Sequence, residues 1–197
     1  MISYFDSIKK FEVVLASQSP RRRQLLHELG ISFSVIPGAA DESFPESLKR
    51  EKAVIFIAEK KSEFYKNSLR NSNTMLITAD TIVCLGNEMI GKPSDHKEAV
   101  MILKKLSGRM HEVFSAVCVR TLSRKETFCV RSEVYFKNIS AEEINYYVEK
   151  YKPFDKAGAY GVQDWLGLTS IERINGSFHN VMGLPVKELY ETMKKFF

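Results

Sequence analysis

No stretch of the 197 residues is long and apolar enough to cross a bilayer. The start, Met1-Ile2-Ser3-Tyr4-Phe5-Asp6-Ser7, lacks a basic region followed by an apolar run, which argues against a signal peptide and for a cytoplasmic location. Cysteine is scarce: Cys84, Cys118 and Cys129 are odd in number, far apart and without a C-x-x-C pair. That excludes a disulfide framework and a cysteine zinc site, and buried free thiols are the expected state. The four histidines (His27, His96, His111 and His179) show no ligand spacing, so a zinc site is not expected. The chain has no G-x-x-x-x-G-K-[ST] loop and no G-x-S-x-G elbow, which disfavours P-loop and acyl-hydrolase chemistry. It also lacks a basic stripe interleaved with aromatics, so nucleic acid is not an expected partner.

What remains is an ordinary globular composition, 44% hydrophobic and 27% charged, with a net charge of +5 that suits an anionic partner without naming it. Apolar runs of strand type cover 11–16, 31–36, 75–85 and 168–174, and two long alternating runs, 111–122 and 126–139, flank a turn at 123–125. Helical patterns start at Pro20, span about 46–67, follow Ser94 or Asp95, open at the Ser140 capping-box spacing, and begin again at Pro185. PGAADESFP, 37–45, reads as a loop carrying two acids. Interspersed strands and helices without repeat or linker predict one α/β or α+β domain, and its hairpin turns predict a mixed sheet.

Local chemistry conflicts with local structure at two places. Ser19 suits the N-cap and Pro20 the first turn of a helix, which puts Arg21, Arg22 and Arg23 at the positive end of its dipole. Either they point into water, or an anion such as a phosphate joins them there. Helical spacing lets at most two of them face one pocket, leaving Arg23 outside. Asp80 lies inside the apolar run and needs a cation, a metal or a raised pKa. Asp41 and Glu42 offer further carboxylates, enough with Asp80 for a Mg²⁺ completed by water and phosphate. Lys92, between Gly91 and Pro93, and Gln163, in a glycine-rich loop, are polar groups suited to a phosphate and a base edge.

Five motifs in order, S-x-S-P-R-R (17–22), A-D-T (79–81), G-K-P (91–93), D-K-A-G-x-Y-G-x-Q (155–163) and I-N-G-S-x-x-N-V-x-G-L-P (174–185), resemble the Maf family of nucleoside triphosphate pyrophosphatases. The resemblance covers nearly all of the chain after Phe11, leaving 1–10 as an N-terminal extension and 11–197 as a single domain. It implies an elongated α/β fold, a mixed twisted sheet flanked by helices, a central cleft and often a homodimer. The implied reaction is hydrolysis of a nucleoside triphosphate to the monophosphate and pyrophosphate with a divalent metal, Mg²⁺ or Mn²⁺. The Asp155–Gly158 stretch with Gln163 resembles the branch acting on dTTP and UTP rather than the 7-methyl-GTP branch. A departure follows at once: Asp164-Trp165 stands where many relatives have a glycine. Carried over by position, Asp80 is the proton acceptor and, with Glu42, the metal ligand. Ser17, Arg21, Arg22, Lys61, Thr81, Lys92 and Gln163 are the substrate-binding set. Lys61 is preferred to Lys52 because it completes an Ala-x-x-Lys element after a full helical turn. The alternative from another class is a non-catalytic nucleotide- or nucleic-acid-binding regulator.

Overall fold

A short helix, α1 (Tyr4–Ile8), leads into β1 (Glu12–Ala16). The computed structural model describes residues 4–37 and 40–197, with backbone only at Tyr4 and Phe5. Val13 to Ala16 form an unbroken apolar row, which suits a strand covered on both faces, and all four are buried. On one side β1 pairs in parallel with β2 (Phe33–Ile36), and on the other with β3 (Thr74–Leu85). Parallel neighbours need crossovers, and helices α2 (Pro20–Glu28) and α3 (Glu51–Phe64) supply them.

β4 (Glu88–Ile90) returns antiparallel along β3 after the Gly86 turn. α4 (His96–Leu106) is capped by Asp95, whose side chain accepts from Glu98 N, and it buries Ala99, Leu103 and Leu106. β5 (Met110–Arg120) and β6 (Lys125–Phe136) are joined by a tight turn in which Thr121 N donates to Arg124 O at 2.8 Å. α5 (Ala141–Tyr151) opens on the reciprocal Ser140–Glu143 capping box. α6 (Trp165–Ser170), β7 (Ile171–Asn175), α7 (Phe178–Met182) and α8 (Val186–Lys194) complete the chain. The strands form one seven-stranded mixed sheet in the order β2-β1-β3-β5-β6-β7, with β4 beside β3. This is the expected α/β architecture with helices flanking a mixed sheet.

Several boundaries differ from the sequence pattern. α3 starts at Glu51 rather than 46, because Arg50 sits at φ +49°, a left-handed conformation that no helix continues through. Leu168 to Ser170 belong to α6, so the last strand begins only at Ile171. β5 shows no alternation: His111 to Val119 are all buried, as an interior strand covered on both faces requires. β2 is shorter than 31–36, and Val35 is exposed. Of the 37–45 loop, Gly38 and Ala39 lie outside the described residues, and the rest has no regular structure.

The chain packs as two compact units. The first holds the residues up to Asp80, Ser115–Val130 and Gly183–Phe197; the second holds Thr81–Phe114 and Arg131–Met182. In the first, Val14, Ala16 and Leu76 pack with Leu69 and Tyr65 beyond the end of α3. In the second, α4 and α5 bury Leu103, Leu106, Ile144, Tyr147 and Val148 with Phe136 and Leu166.

Candidate active site

β1 and β3 stay paired only as far as Ala16 and Thr78, so Ala79 and Asp80 run on beyond the end of β1. Ser17 follows β1 at that same end, the carboxyl end of the parallel strands, where ligand sites of open α/β sheets gather. Strand alternation puts Thr78 and Asp80 on one face. Thr78 Oγ1 donates to Ala58 O at 2.7 Å, which fixes α3 over that face. One helical turn on, Lys61 meets Asp80.

The Lys61 ammonium donates to Asp80 Oδ1 at 2.6 Å and to Glu42 Oε1 at 2.8 Å. Lys61 and Asp80 are each 8% exposed as residues, so this is a buried pair that a second, more exposed carboxylate, Glu42, joins. The neighbouring rung is outside: Lys60 Nζ reaches Asp41 Oδ2 at 2.7 Å and Ser43 O at 2.8 Å. Hydrogen bonds from Lys60, then from Ser43, hold the Asp41 carboxyl well below the usual range. The loop expected to carry two acids thus spends one on Lys60 and turns the other toward Asp80.

Arg22 is the second cation of this cluster. Its Nε donates to Gly183 O at 2.8 Å, and its Nη1 to Ala79 O at 2.9 Å and Ser17 Oγ at 3.3 Å. Ala79 O is open to this use because β1 has already ended. Burial lowers the guanidinium pKa, Asp80 and Glu42 raise it, and Arg21 lowers it again, so all four charges lie within electrostatic reach. Ser19 caps α2 as expected, accepting from Arg22 N at 3.5 Å. Arg23 turns outward to Gln18 O at 2.7 Å on the exposed side.

Thr81, Lys92 and Gln163 belong to the second unit. There the G-K-P and D-K-A-G motifs meet: Gly158 N donates to Gly91 O at 3.1 Å. Gly158 needs its glycine, with φ +74° and a Cβ position 3.0 Å from the Val83 side chain. Lys92 and Gln163 are exposed and Thr81 is half-buried.

The first unit therefore gathers Ser17, Arg22, Glu42, Lys61 and Asp80, with Arg21 within charge range. Lys52, the runner-up, is exposed in the first turn of α3. Sequence reasoning missed the Ala79 and Gly183 carbonyls and the Lys60–Asp41 rung. Backbone acceptors leave no mark on residue identity. Lys61 did leave one, as a charge continuing the buried row Val54, Ile57, Ala58 at helical spacing.

The Maf-like protein family matches residues 12–196. The chain belongs to the Maf family. It is 47% identical over 192 residues to the dTTP/UTP pyrophosphatase of Parabacteroides distasonis, covering 97% of this chain and 99% of that protein. It is 46% identical to the dTTP/UTP pyrophosphatase of Porphyromonas gingivalis, covering 97% of each. Against the dTTP/UTP pyrophosphatase of Phocaeicola vulgatus it is 44% identical, over 96% of this chain and 98% of that one. Within this Maf chain, the S-x-S-P-R-R motif supplies Ser17 and Arg22, and the A-D-T motif supplies the Ala79 carbonyl and Asp80. The G-L-P end of the last motif supplies Gly183, at φ +108°. Among the described residues no helix is long and apolar enough to cross a membrane.

Proposed function

We propose that this protein hydrolyses dTTP and UTP to the monophosphate and pyrophosphate, with Asp80 as the group that holds and deprotonates the attacking water. The observation that carries the reading is the buried Asp80–Lys61–Glu42 cluster beside Arg22, in a chain whose near-full-length relatives are named dTTP/UTP pyrophosphatases. A water oxygen forms a bond to the α-phosphorus, the bond to the bridging oxygen breaks, and pyrophosphate leaves. Asp80 takes the water proton. Arg22, its guanidinium oriented by three oxygens, and Arg21 bind phosphate oxygens at the N-terminus of α2. Lys61 offsets charge growing toward the leaving group. Ser17 steadies Arg22, Lys92 serves the phosphates, and Thr81 and Gln163 serve substrate choice.

A divalent cation, Mg²⁺ or Mn²⁺, fits this donor set. The Glu42 and Asp80 oxygens converge on one ammonium, so they already face a place where a cation sits. Among the described residues no group of three or more His, Cys, Asp or Glu could hold a metal. Mg²⁺ ordinarily takes one or two carboxylates with water and phosphate oxygens, so these two acids would suffice. Glu42 and Asp80 would hold it, and it would neutralise phosphate charge. The proposal includes the homodimer that the resemblance implies, which sedimentation velocity tests, and a cytoplasmic location, which suits a nucleoside triphosphate substrate.

The test is pyrophosphate release over canonical and modified triphosphates, with and without Mg²⁺. Turnover of dTTP and UTP is expected, while preference for 7-methyl-GTP, or nucleotide binding without turnover, rejects the assignment. Asp80→Asn should lower turnover by about 10²- to 10⁴-fold with the fold intact. Wild-type release by that variant removes Asp80 from the role.

A further inference from the structure

Asp164 stands at the N-cap of α6, yet its carboxylate makes no capping bond there. An aspartate at that position ordinarily accepts from the first turn of its own helix. Here Oδ2 instead accepts from the Tyr147 hydroxyl at 2.8 Å, and Lys156 Nζ lies 3.7 Å from it. The same hydroxyl accepts from Gly161 N at 3.1 Å. Gly161 and Asp164 are the two ends of a turn that Asp164 N closes on Gly161 O at 3.0 Å. Its central residues are Val162, buried, and Gln163, exposed. One fully buried phenol from α5 thus ties both ends of the turn that presents Gln163. Burial and the facing Asp164 charge raise the phenol pKa and keep it a donor.

The turn is also held from outside. A Cβ on Gly161 would lie 2.5–2.9 Å from the Asp164 carboxyl atoms, so the carboxylate lies directly against the turn backbone. A Cβ on Gly167 would lie 2.3 Å from Val162 O and 2.6 Å from Gly161 O, so α6 presses its backbone onto the turn. Trp165 packs edge-on against Tyr146, with ring centroids 5.0 Å apart. The two residues that depart from the resembled pattern therefore grip consecutive tyrosines of α5.

We infer that Tyr147 and Asp164 are positioning residues that fix the turn carrying Gln163 and so set the base preference. This rests on the proposed role of Gln163 in reading the base. A polar side chain on a loose turn spends binding energy on being ordered, whereas a clamped one presents its amide ready-made. Losing the clamp weakens base binding without touching Asp80, so the effect falls on KM and on selectivity rather than on kcat.

The test compares Tyr147→Phe, Asp164→Ala, Asp164→Asn and Gln163→Ala by pyrophosphate release with dTTP, UTP and dGTP, alongside thermal unfolding. Tyr147→Phe and Asp164→Ala should raise KM for dTTP and UTP by about tenfold, keep kcat within about twofold, and shrink the preference for dTTP over dGTP. Asp164→Asn retains an oxygen acceptor for Tyr147 and should stay near wild type. The clamp is overturned if folded Tyr147→Phe and Asp164→Ala keep wild-type KM and preference while Gln163→Ala loses them. It is equally overturned if they lower kcat alone. If Tyr147→Phe does not fold, Asp164→Ala decides. Unchanged preference in Gln163→Ala removes the base-reading role itself, and the inference with it.

Discussion

A lysine at position 22 would keep the charge and lose the fork. Arg22 reaches Gly183 O, Ala79 O and Ser17 Oγ from two different nitrogens, and a single ammonium cannot span them. Arg22→Lys should cost about 1–3 kcal/mol of stability, read by thermal unfolding, and at least about tenfold in kcat/KM. Arg23→Ala should match the wild type in both, since Arg23 makes its bond to Gln18 O on the exposed side. Lys61→Met would leave Asp80 and Glu42 facing each other without their shared ammonium. Two carboxylates at one site repel and attract a cation. The variant should melt lower in EDTA, recover on adding Mn²⁺, and bind Mn²⁺ more tightly than the wild type without nucleotide, as calorimetry would show. At this scale the sequence told a good deal. Asp80 in an apolar run and arginines at a helix start are visible conflicts, and each turned out to face the other's charge. Their partners were less visible, because Ala79 and Gly183 contribute carbonyls that any residue carries.

Helix ends and glycines set the elements. Ser140→Ala should cost about 1 kcal/mol, since it removes one arm of a reciprocal capping box on α5. Gly167→Ala should cost about 1–3 kcal/mol, because its Cβ would meet the Val162 carbonyl and backbone yields less than a side-chain tip. Both are read by thermal unfolding, and the glycine variant should also disturb the Gln163 turn. Caps were legible from sequence: Ser19 and Ser140 do what their spacing predicts, and of the two candidates Ser94 and Asp95 the cap falls on Asp95. Short helices were not, because five or six residues such as Phe178–Met182 or Trp165–Ser170 hold too little periodicity to be distinguished from loop or strand. The start of α3 was hidden for another reason: Arg50 at positive φ breaks a pattern that composition alone would continue.

For the molecule as a whole, one buried histidine links fold to pH. His111 is fully buried, with Nε2 2.7 Å from Tyr160 Oη and its ring edge-on to Phe136. Burial pushes its pKa from 6.5 down to about 4. Between those values the unfolded chain binds a proton that the folded protein refuses, so stability falls as pH drops through the window and levels off below it. The whole effect is about 3 kcal/mol. A plot of melting temperature against pH should slope there in the wild type and flatten in His111→Gln. The net charge of +5 favours capture of polyanionic triphosphates and weakens that capture as salt rises. Salt reaches one local feature as well. Two successive lysines fasten the loop at 41–43 to α3, Lys60 through the exposed Asp41 and Lys61 through Glu42 beside the buried Asp80. Ions screen the outer fastening far more than the inner. Amide exchange at 41–46 should therefore quicken between low and high ionic strength while α3 exchanges at an unchanged rate. Glu42, the proposed metal ligand, would then hang from a strap whose slack is set by the solution rather than by the fold.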